Sequence, residues 1–367
     1  MDLGYFMMPA HPPERKPYDF NQYDLQTLRW GDELGVVEAW IGEHFTVNWE
    51  PNPAPDLTIA QALLQTKRIK LGAGAHLLPY HHPVELAHRV AFLDHLAQGR
   101  LQLGVAAGGH QGDFMAFGVD GANGENRVMM REALDIMLGI WAAEGEFKYE
   151  GKYWKGHIPP TMVNGNYRHH MHPFTKPHPP IGMAVLTPGS DTIKLAGSRG
   201  YMPLSIHLND QYTAAHWNTY QESATKAGIK ADRKKWRVYT EILVADTDAE
   251  AERLAFEGPL LRASREYLWQ LYNAFGYLKH LKHDPSMPDE AVTPEYFMRT
   301  SWIIGSVATV TDRIVEIYNT TGGFGTLLWS PTDWGDQPER MRHTLELLIK
   351  EVLPRVNAKI APLPVPQ

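Results

Sequence analysis

The chain has 367 residues, of which 43% are hydrophobic, 21% charged and 11% aromatic, and its formal net charge is −7. The absence of cysteine excludes disulfides, thiolate catalysis and cysteine-ligated metal centres. The acidic balance without basic runs argues against nucleic acid as a partner, and no apolar run reaches the roughly 18 residues of a membrane span. The N-terminal stretch has an acid at position 2 and lacks the pattern of a signal peptide, so a cytoplasmic protein is expected.

Short apolar runs typical of strands alternate along the chain with amphipathic stretches typical of helices, which predicts a parallel sheet covered by helices. Eight strands are predicted in chain order: Leu3–Met8, Val36–Ile41, Ile69–Ala75, Leu101–Ala106, Ile181–Leu186, Met202–Ile206, Arg237–Ala245 and Thr326–Ser330. The helices between and after them are predicted at Asp24–Leu34, Asp56–Thr66, Val84–Ala97, Arg127–Trp141, Asp191–Ser198, Tyr212–Ala227, Ala249–Tyr277 and Pro338–Val352.

Eight strands that are too apolar to expose a face suit a closed barrel better than an open sheet, which would leave two unpaired edges. The predicted fold is α/β, a (β/α)8 TIM barrel with insertions after strands 4 and 7, in a single domain over residues 1–367. Residues from about 145 to 180 are rich in Pro, Gly, His and Asn and predict an irregular insertion. Residues from about 273 to 297 predict a mobile excursion.

In a barrel of this kind, the active site forms where the strands end at their carboxyl side. Several of these ends carry a histidine: His11, His44, His76 and His110. A histidine there can exchange a proton near neutral pH, or it can be a hydrogen-bonded rim residue without a chemical role. A metal triad is disfavoured because Glu43 alternates away from His44 along the strand, so no metal site is expected.

Two glycine-rich turns are candidates for cofactor binding. Residues 106–113, "AAGGHQGD", follow a strand, but the residues after them do not look helical, so a dinucleotide-binding fingerprint is not met. Residues 186–197, "LTPGSDTIKLAG", predict a helix N-cap at Ser190 or Asp191, where a phosphate can bind free N–H groups; a plain N-cap is the alternative. Phosphate, histidine and aromatic groups without a nicotinamide fingerprint indicate a phosphorylated cofactor such as flavin mononucleotide.

An apolar pocket is predicted from the side chains near the strand ends, with ordinary core packing as the alternative for each. The candidates for this substrate pocket are Met8, His11, Phe114 and Trp329.

Several long segments together resemble the bacterial-luciferase-like flavin monooxygenases over essentially the whole chain. In the family's order these are "LGYFMMPAHPP", "EAWIGEHF", "LGAGAHLLPYHHPVELAHRVAFLDHLAQGRLQLGVAAG", "LAGSRGY" and "TGGFGTLL". The likeness is greatest to the limonene and diketocamphane monooxygenase branch, through "LLQTKRIKLGAGAHLLPYHHP", "YEGKYW", "ADTDAEAERLAFEGP" and "IIGSVATVTDRI".

The resemblance implies an enzyme that takes reduced FMN from a separate NAD(P)H:flavin reductase and uses O2 to oxygenate a small apolar substrate through a flavin C4a-(hydro)peroxide. A terpene, a cyclic ketone or an aldehyde would fit, and oxygen insertion beside a carbonyl and transfer to an alkene both stay open. The resemblance also implies a homodimer. An F420-dependent oxidoreductase on the same barrel and a flavin-binding protein without catalysis are the alternatives.

Carried over position by position, the resemblance makes His44 the catalytic residue beside the flavin ring. Gly74 and Ala75 match a strand-three position where the family often has a non-prolyl cis peptide. The implied cofactor-binding residues are Gly74, Ala75, His76, Ala107, Gly108, Gly109, Thr187, Gly189, Ser190 and Asp191. Luciferase has cysteine and arginine where this chain has Ala106 and Ala107, so other groups must neutralise the cofactor phosphate.

Overall fold

The computed structural model describes residues 1–8, 10–167, 171–282, 284 and 286–365. The strands in this part of the chain are β1 (Asp2–Met7), β2 (Glu38–Ile41), β3 (Lys70–Leu77), β4 (Leu101–Ala106), β5 (Phe147–Glu150), β6 (Lys155–Ile158), β7 (Ile181–Val185), β8 (Met202–Ile206), β9 (Arg237–Thr240), β10 (Ile242–Ala245), β11 (Ile303–Ser306) and β12 (Thr326–Trp329). Eight of them close a barrel in the order β1-β12-β9-β8-β7-β4-β3-β2, and all neighbouring pairs are parallel. The predicted eight-stranded α/β barrel is confirmed.

Helices surround this barrel, and several begin with a proline in the first turn, where the missing N–H has no intrahelical role. The α-helices are α1 (Pro17–Leu34), α2 (Pro55–Leu63), α3 (Pro83–Ala97), α4 (Gln111–Phe117), α5 (Glu125–Ala142), α6 (Asp191–Arg199), α7 (Asp210–Lys226), α8 (Asp248–Glu257), α9 (Pro259–Ala263), α10 (Trp269–Ala274), α11 (Leu278–Leu281), α12 (Pro294–Ser301), α13 (Val307–Thr321), α14 (Pro338–Leu347) and α15 (Leu353–Lys359). Within the described residues, no helix is both long enough and apolar enough to cross a membrane.

Both predicted insertions are present in the fold. The one after β4 contains the antiparallel hairpin β5–β6, and the one after β9 contains β10, β11 and the helices α8 to α12. The mobility expected for residues 273–297 stays a prediction, and residues 283 and 285 of that range lie outside the described residues.

The prediction of one continuous strand over Arg237–Ala245 was wrong. The strand breaks at Glu241: β9 belongs to the barrel, whereas β10 pairs with β11 in a separate two-stranded sheet. β11 and the following α13 were not predicted. The break depends on a pairing partner that is distant in sequence, so an apolar run alone does not reveal it.

Side chains fill the barrel interior in layers, from its base to its mouth. At the base, Glu38 forms an ion pair with Arg237 at 2.9 Å. Above it, the fully buried Trp40 spans the interior. Glycines make room for this ring, because a Cβ at Gly74 would lie 2.6 Å from Trp40 Cβ and one at Gly182 would lie 2.7 Å from Trp40 Cη2.

A second apolar cluster covers the barrel mouth. It is built largely from the excursion after β9, with Tyr267, Tyr272 and Phe297 among its buried members. Met8 and Ile206 are half-buried and pack against both this cluster and the barrel interior. The space at the mouth is therefore enclosed by apolar side chains on two sides.

Candidate active site

His44 lies directly beyond β2, at the mouth of the barrel, in contact with two acidic side chains. Its Nε2 forms an ion pair with Glu50 Oε2 at 2.9 Å, and its Nδ1 lies 3.8 Å from Asp113 Oδ2. Tyr267 Oη donates to Glu50 Oε1 at 2.6 Å, and Thr46 donates to Asp113 through both its N–H and its hydroxyl. The imidazole is thus held on both sides, while Nδ1 itself is buried without a hydrogen-bond partner.

The charges around His44 decide its protonation. Burial lowers the pKa of His44, but Glu50 and Asp113 outweigh burial and raise it to about 9. Burial and the neighbouring His44 charge lower the pKa of His110, whose ring centroid is 4.6 Å away. At neutral pH the pair is therefore one imidazolium, His44, beside one neutral imidazole.

Glu43 points away from His44, as strand alternation predicts, and binds two other histidines. Its Oε2 lies 3.3 Å from His76 Nδ1 and accepts from the N–H of Leu77, and its Oε1 lies 2.6 Å from His81 Nε2. His76 Nε2 lies 3.0 Å from Asp56 Oδ1. His76 is 3% exposed, so this placement favours a structural role for it over the predicted contact with a cofactor.

The ends of β3 and β4 present backbone rather than charged side chains to the mouth. The peptide bond between Gly74 and Ala75 is cis. Asn126 Nδ2 donates to the carbonyls of Ala107 at 3.1 Å and Gly108 at 3.2 Å and fixes the turn after β4. A Cβ at the exposed Gly109 would meet no atom within 4 Å, so this turn is open on its outer side.

The residues after this turn are helical, contrary to the expectation from their sequence. Seven residues form α4, which ends at Gly118 in the left-handed conformation. Tertiary contacts explain the helix: the ring of Phe117 packs on Tyr80 at 4.5 Å and on Phe45 at 4.7 Å, and Asp113 is held by Thr46. Such contacts override a weak local pattern.

The predicted phosphate end lies at the start of α6. Ser190 is its N-cap and accepts from the N–H of Ile193 at 3.4 Å, and its own N–H donates to the carbonyl of Thr187. Gly189 adopts a positive φ of 71° in the turn. Arg131 Nη2 from α5 lies 3.3 Å from Asp191 Oδ2, so a cation is present at this helix N-terminus.

The four predicted pocket residues are not brought together. Met8 lies at the mouth, and Phe114 is half-buried in α4, where its ring lies close to Gly121. Trp329 packs with the cluster between barrel and helices, because β12 turns Leu328 inward and Trp329 outward. His11 is 2% exposed, 2.7 Å from Asp333 and 3.2 Å from Asp24. Both placements argue against the predicted pocket role of Trp329 and His11.

Sequence reasoning missed the side chains that reach these positions from distant segments. They are Glu50, Asp113, Asn126, Arg131 and Glu241. Only Glu50 and Asp113 had a usable signal, as acids close to an aromatic or glycine-rich strand end. The others sit in a helix or in a predicted continuous strand, where nothing local marks them.

The geometry fits a phosphorylated, planar cofactor. Three buried polar atoms at this end of the barrel have no hydrogen-bond partner: Asn126 Oδ1, and His44 Nδ1 and Asp113 Oδ2, which lie 3.8 Å from each other. The turns at Gly109 and Gly189 have open space, and the first-turn amides of α6 have no carbonyl partner within the helix.

Comparison with known proteins agrees with a site for a phosphorylated, planar cofactor. The family model described as "Luciferase-like monooxygenase" matches residues 1–323. The chain is 32% identical to 3,6-diketocamphane 1,6-monooxygenase of Pseudomonas putida over 97% of this chain and 98% of the relative, and 29% identical to limonene 1,2-monooxygenase of Rhodococcus erythropolis over 99% and 88%. A solved type II Baeyer–Villiger monooxygenase, the oxygenating constituent of 3,6-diketocamphane monooxygenase from Pseudomonas putida in complex with FMN, is similar with a TM-score of 0.92 and 32% identity, covering 99% of this chain and 100% of that one.

Proposed function

The chain belongs to the luciferase-like monooxygenase family, and from that premise we propose that it is the oxygenating component of a two-component flavin-dependent monooxygenase. It takes reduced FMN from an NAD(P)H:flavin reductase and uses O2 to oxygenate a small apolar organic substrate. One observation carries the proposal: the buried His44, protonated at neutral pH, is held between Glu50 and Asp113 at the mouth of the barrel.

Reduced FMN, when bound, supplies two electrons and activates O2 so that one oxygen atom enters the substrate. The residues of this chain would bind the cofactor and keep water away from it. Gly74, Ala75 and the turn at 107–109 offer backbone to the ring system, and the start of α6 with Thr187, Gly189, Ser190 and Asp191 receives the phosphate. His44 holds a proton at Nδ1 beside the reacting region, and the apolar cluster over the mouth excludes water.

The direct test is turnover. Purified protein is combined with a flavin reductase, NADH, FMN and O2, and product is measured for terpenes, cyclic ketones and aldehydes together with NADH and O2 consumption. We expect product formation coupled to O2 for at least one class. Hydride transfer from F420 without O2, or FMN binding without product from any class, would contradict the proposal.

Two further assignments belong to the same proposal. Residues 1–367 act as a single domain, since the closed barrel draws strands from positions 2 to 329. The protein works in the cytoplasm, where NAD(P)H-driven flavin reduction is available and a chain without cysteine needs no oxidising compartment. Fractionation of cells that express the full chain tests this location.

Arg131 is the group we assign to compensate charge at the phosphate. Arg131→Ala would leave Asp191 unpaired beside the phosphate, so FMN affinity should fall about 10-fold, or about 1.4 kcal/mol. FMN and riboflavin titrations by flavin fluorescence check this. Riboflavin lacks the phosphate and provides the matched control: its affinity should not change. Equal losses for both ligands would place Arg131 at the ring system instead.

A homodimer is proposed through the outer faces of α2 and α3. Large apolar side chains are exposed there: Leu57 is 66%, Leu64 91%, Phe92 55% and Leu96 53% exposed. An exposed apolar patch of this kind is typical of an interface between chains. The double substitution Phe92→Glu and Leu96→Glu should give a monomer in sedimentation velocity, whereas wild type should sediment as a dimer. A wild-type monomer, or a dimer that both substitutions leave intact, would exclude this interface.

A further inference from the structure

Glu241 occupies the first position after barrel strand β9, at the barrel mouth. Its strand neighbour Tyr239 packs in the barrel interior against Phe6, with ring centroids 5.1 Å apart. Because side chains two residues apart share a face, Glu241 points inward above Tyr239, and Tyr239 Oη donates to Glu241 Oε1 at 2.8 Å. The register pairs Thr240 with Trp329, which sets Ser330 beside Glu241.

The other oxygen of this carboxyl group has neither a hydrogen-bond partner nor a nearby cation among the described residues. Glu241 is 7% exposed, and its Oε2 is buried without a hydrogen-bond partner. Two other buried carboxylates face a cation: Glu38 faces Arg237 and Glu50 faces His44. No described cation acts on Glu241; burial raises its pKa to about 7, although the hydroxyls of Tyr239 and Ser330 favour the charged form. The neutral acid, which can donate through Oε2, is therefore well populated at neutral pH.

Apolar side chains and hydroxyl groups share this part of the barrel mouth with Glu241. Met8 and Ile206 pack between the barrel interior and the cluster that covers the mouth, and Tyr272 of that cluster is close enough to feel the charge of both Glu241 and Glu50. A carboxyl donor that has no hydrogen-bond partner in the protein can fix the orientation of a ligand with one acceptor. It also discriminates against a ligand of the same shape without an acceptor, because the donor then stays unpaired.

We propose that Glu241 determines substrate specificity by donating a hydrogen bond from Oε2 to the carbonyl oxygen of a cyclic ketone. This inference rests on the proposed function and narrows it to carbonyl substrates, since an alkene offers no comparable acceptor. The bond polarises the carbonyl carbon toward attack and holds it at a fixed position at the mouth. The proton remains on Glu241 throughout, so no further reactant is needed.

The test measures ligand binding in the absence of flavin, so its result does not depend on turnover. Camphor serves as the ketone and camphane, the hydrocarbon of the same skeleton, as the matched control, with dissociation constants from tryptophan fluorescence. Wild type should bind camphor about 10-fold or more tightly than camphane. Glu241→Leu should remove that preference by weakening camphor binding, whereas Glu241→Gln, which retains an N–H donor, should keep most of it.

Several outcomes would overturn the inference: equal affinity of wild type for the two ligands, no binding of either, or an equal loss of both in Glu241→Leu. If Glu241→Leu fails to fold, the ratio of the camphor and camphane dissociation constants in wild type and in Glu241→Gln still tests the inference. FMN titration of each variant should give affinities within about 2-fold of wild type, and a larger loss would assign Glu241 to the cofactor instead. If wild type prefers camphor but no terpene, cyclic ketone or aldehyde gives O2-dependent product with reduced FMN, the proposed function fails and the carbonyl site stands.

Discussion

His44→Ala is expected to lower the rate of product formation by at least about 100-fold while FMN still binds. The substitution removes the imidazolium that Glu50 and Asp113 hold at the mouth, with Nε2 2.9 Å from Glu50. It removes no phosphate or ring-binding group. Without the proton at Nδ1, O2 consumption should continue but should yield H2O2 instead of product. Product and H2O2 are measured together under single-turnover conditions.

His343→Ala is the matched control, because this histidine is 51% exposed at its side chain and lies on α14 beside Asp246. Its product yield should equal that of wild type. Raising the pH should imitate the loss of His44: its pKa is raised to about 9, so the imidazolium is present below that pH and is lost as the pH rises through it. The groups that face His44 are Glu50, Asp113 and His110. Unchanged product yield in His44→Ala would remove His44 from the mechanism.

The barrel was predictable because its signals are local. Each barrel strand is an apolar run of four to eight residues. Amphipathic helices, each of which buries one face, alternate with these strands. The break at Glu241 was not predictable, because a single charged residue does not end an apolar run such as Arg237–Ala245, and because β10 leaves the barrel to pair with β11, about 60 residues later. Composition also fails at α4, whose helix depends on Phe45 and Tyr80 packing against it.

The site was predictable where strand alternation alone places a side chain. His44 and Glu43 follow β2 and face opposite sides, as expected, and Met8 faces the mouth. Trp329 was predicted as a pocket residue only from its position near a strand end, whereas strand alternation places it on the outer face of β12. His11 and His76 lie at predicted strand ends but bind carboxylates from α1 and α2, Asp24 and Asp56, and such partners are not visible in one sequence.

The acid beside His44 in sequence has a different role, which concerns stability. Glu43 is fully buried at its side chain and is the shared acceptor of His76, His81 and the N–H of Leu77. Burial opposes its charge, but the hydrogen bonds from His76 and His81 lower the pKa of Glu43 to about 2. Burial likewise opposes the charge of His76, yet Asp56 and Glu43 raise the pKa of His76 to about 9. The negative charge of Glu43 and the positive charge of His76 therefore stabilise each other.

Glu43→Ala should lower the free energy of unfolding by about 3 to 5 kcal/mol, because it leaves a buried imidazolium with one carboxylate fewer. Urea unfolding at several pH values measures this. Glu85→Ala is the matched control: Glu85 pairs with Arg89 on the exposed face of α3, and its loss should cost at most about 0.5 kcal/mol.

The pH dependence distinguishes this electrostatic role from simple packing. Glu43 has a lowered pKa, so its contribution is present above about 4.5 and is lost as the pH falls through about 2. His76 has a raised pKa, so its contribution is present below 6.5 and is lost as the pH rises through about 9. The difference between wild type and Glu43→Ala should be largest between these limits, and a difference independent of pH would refute the assignment. The folded fraction of Glu43→Ala should keep the wild-type ratio of product to H2O2, since Glu43 binds His76 and His81 and points away from His44.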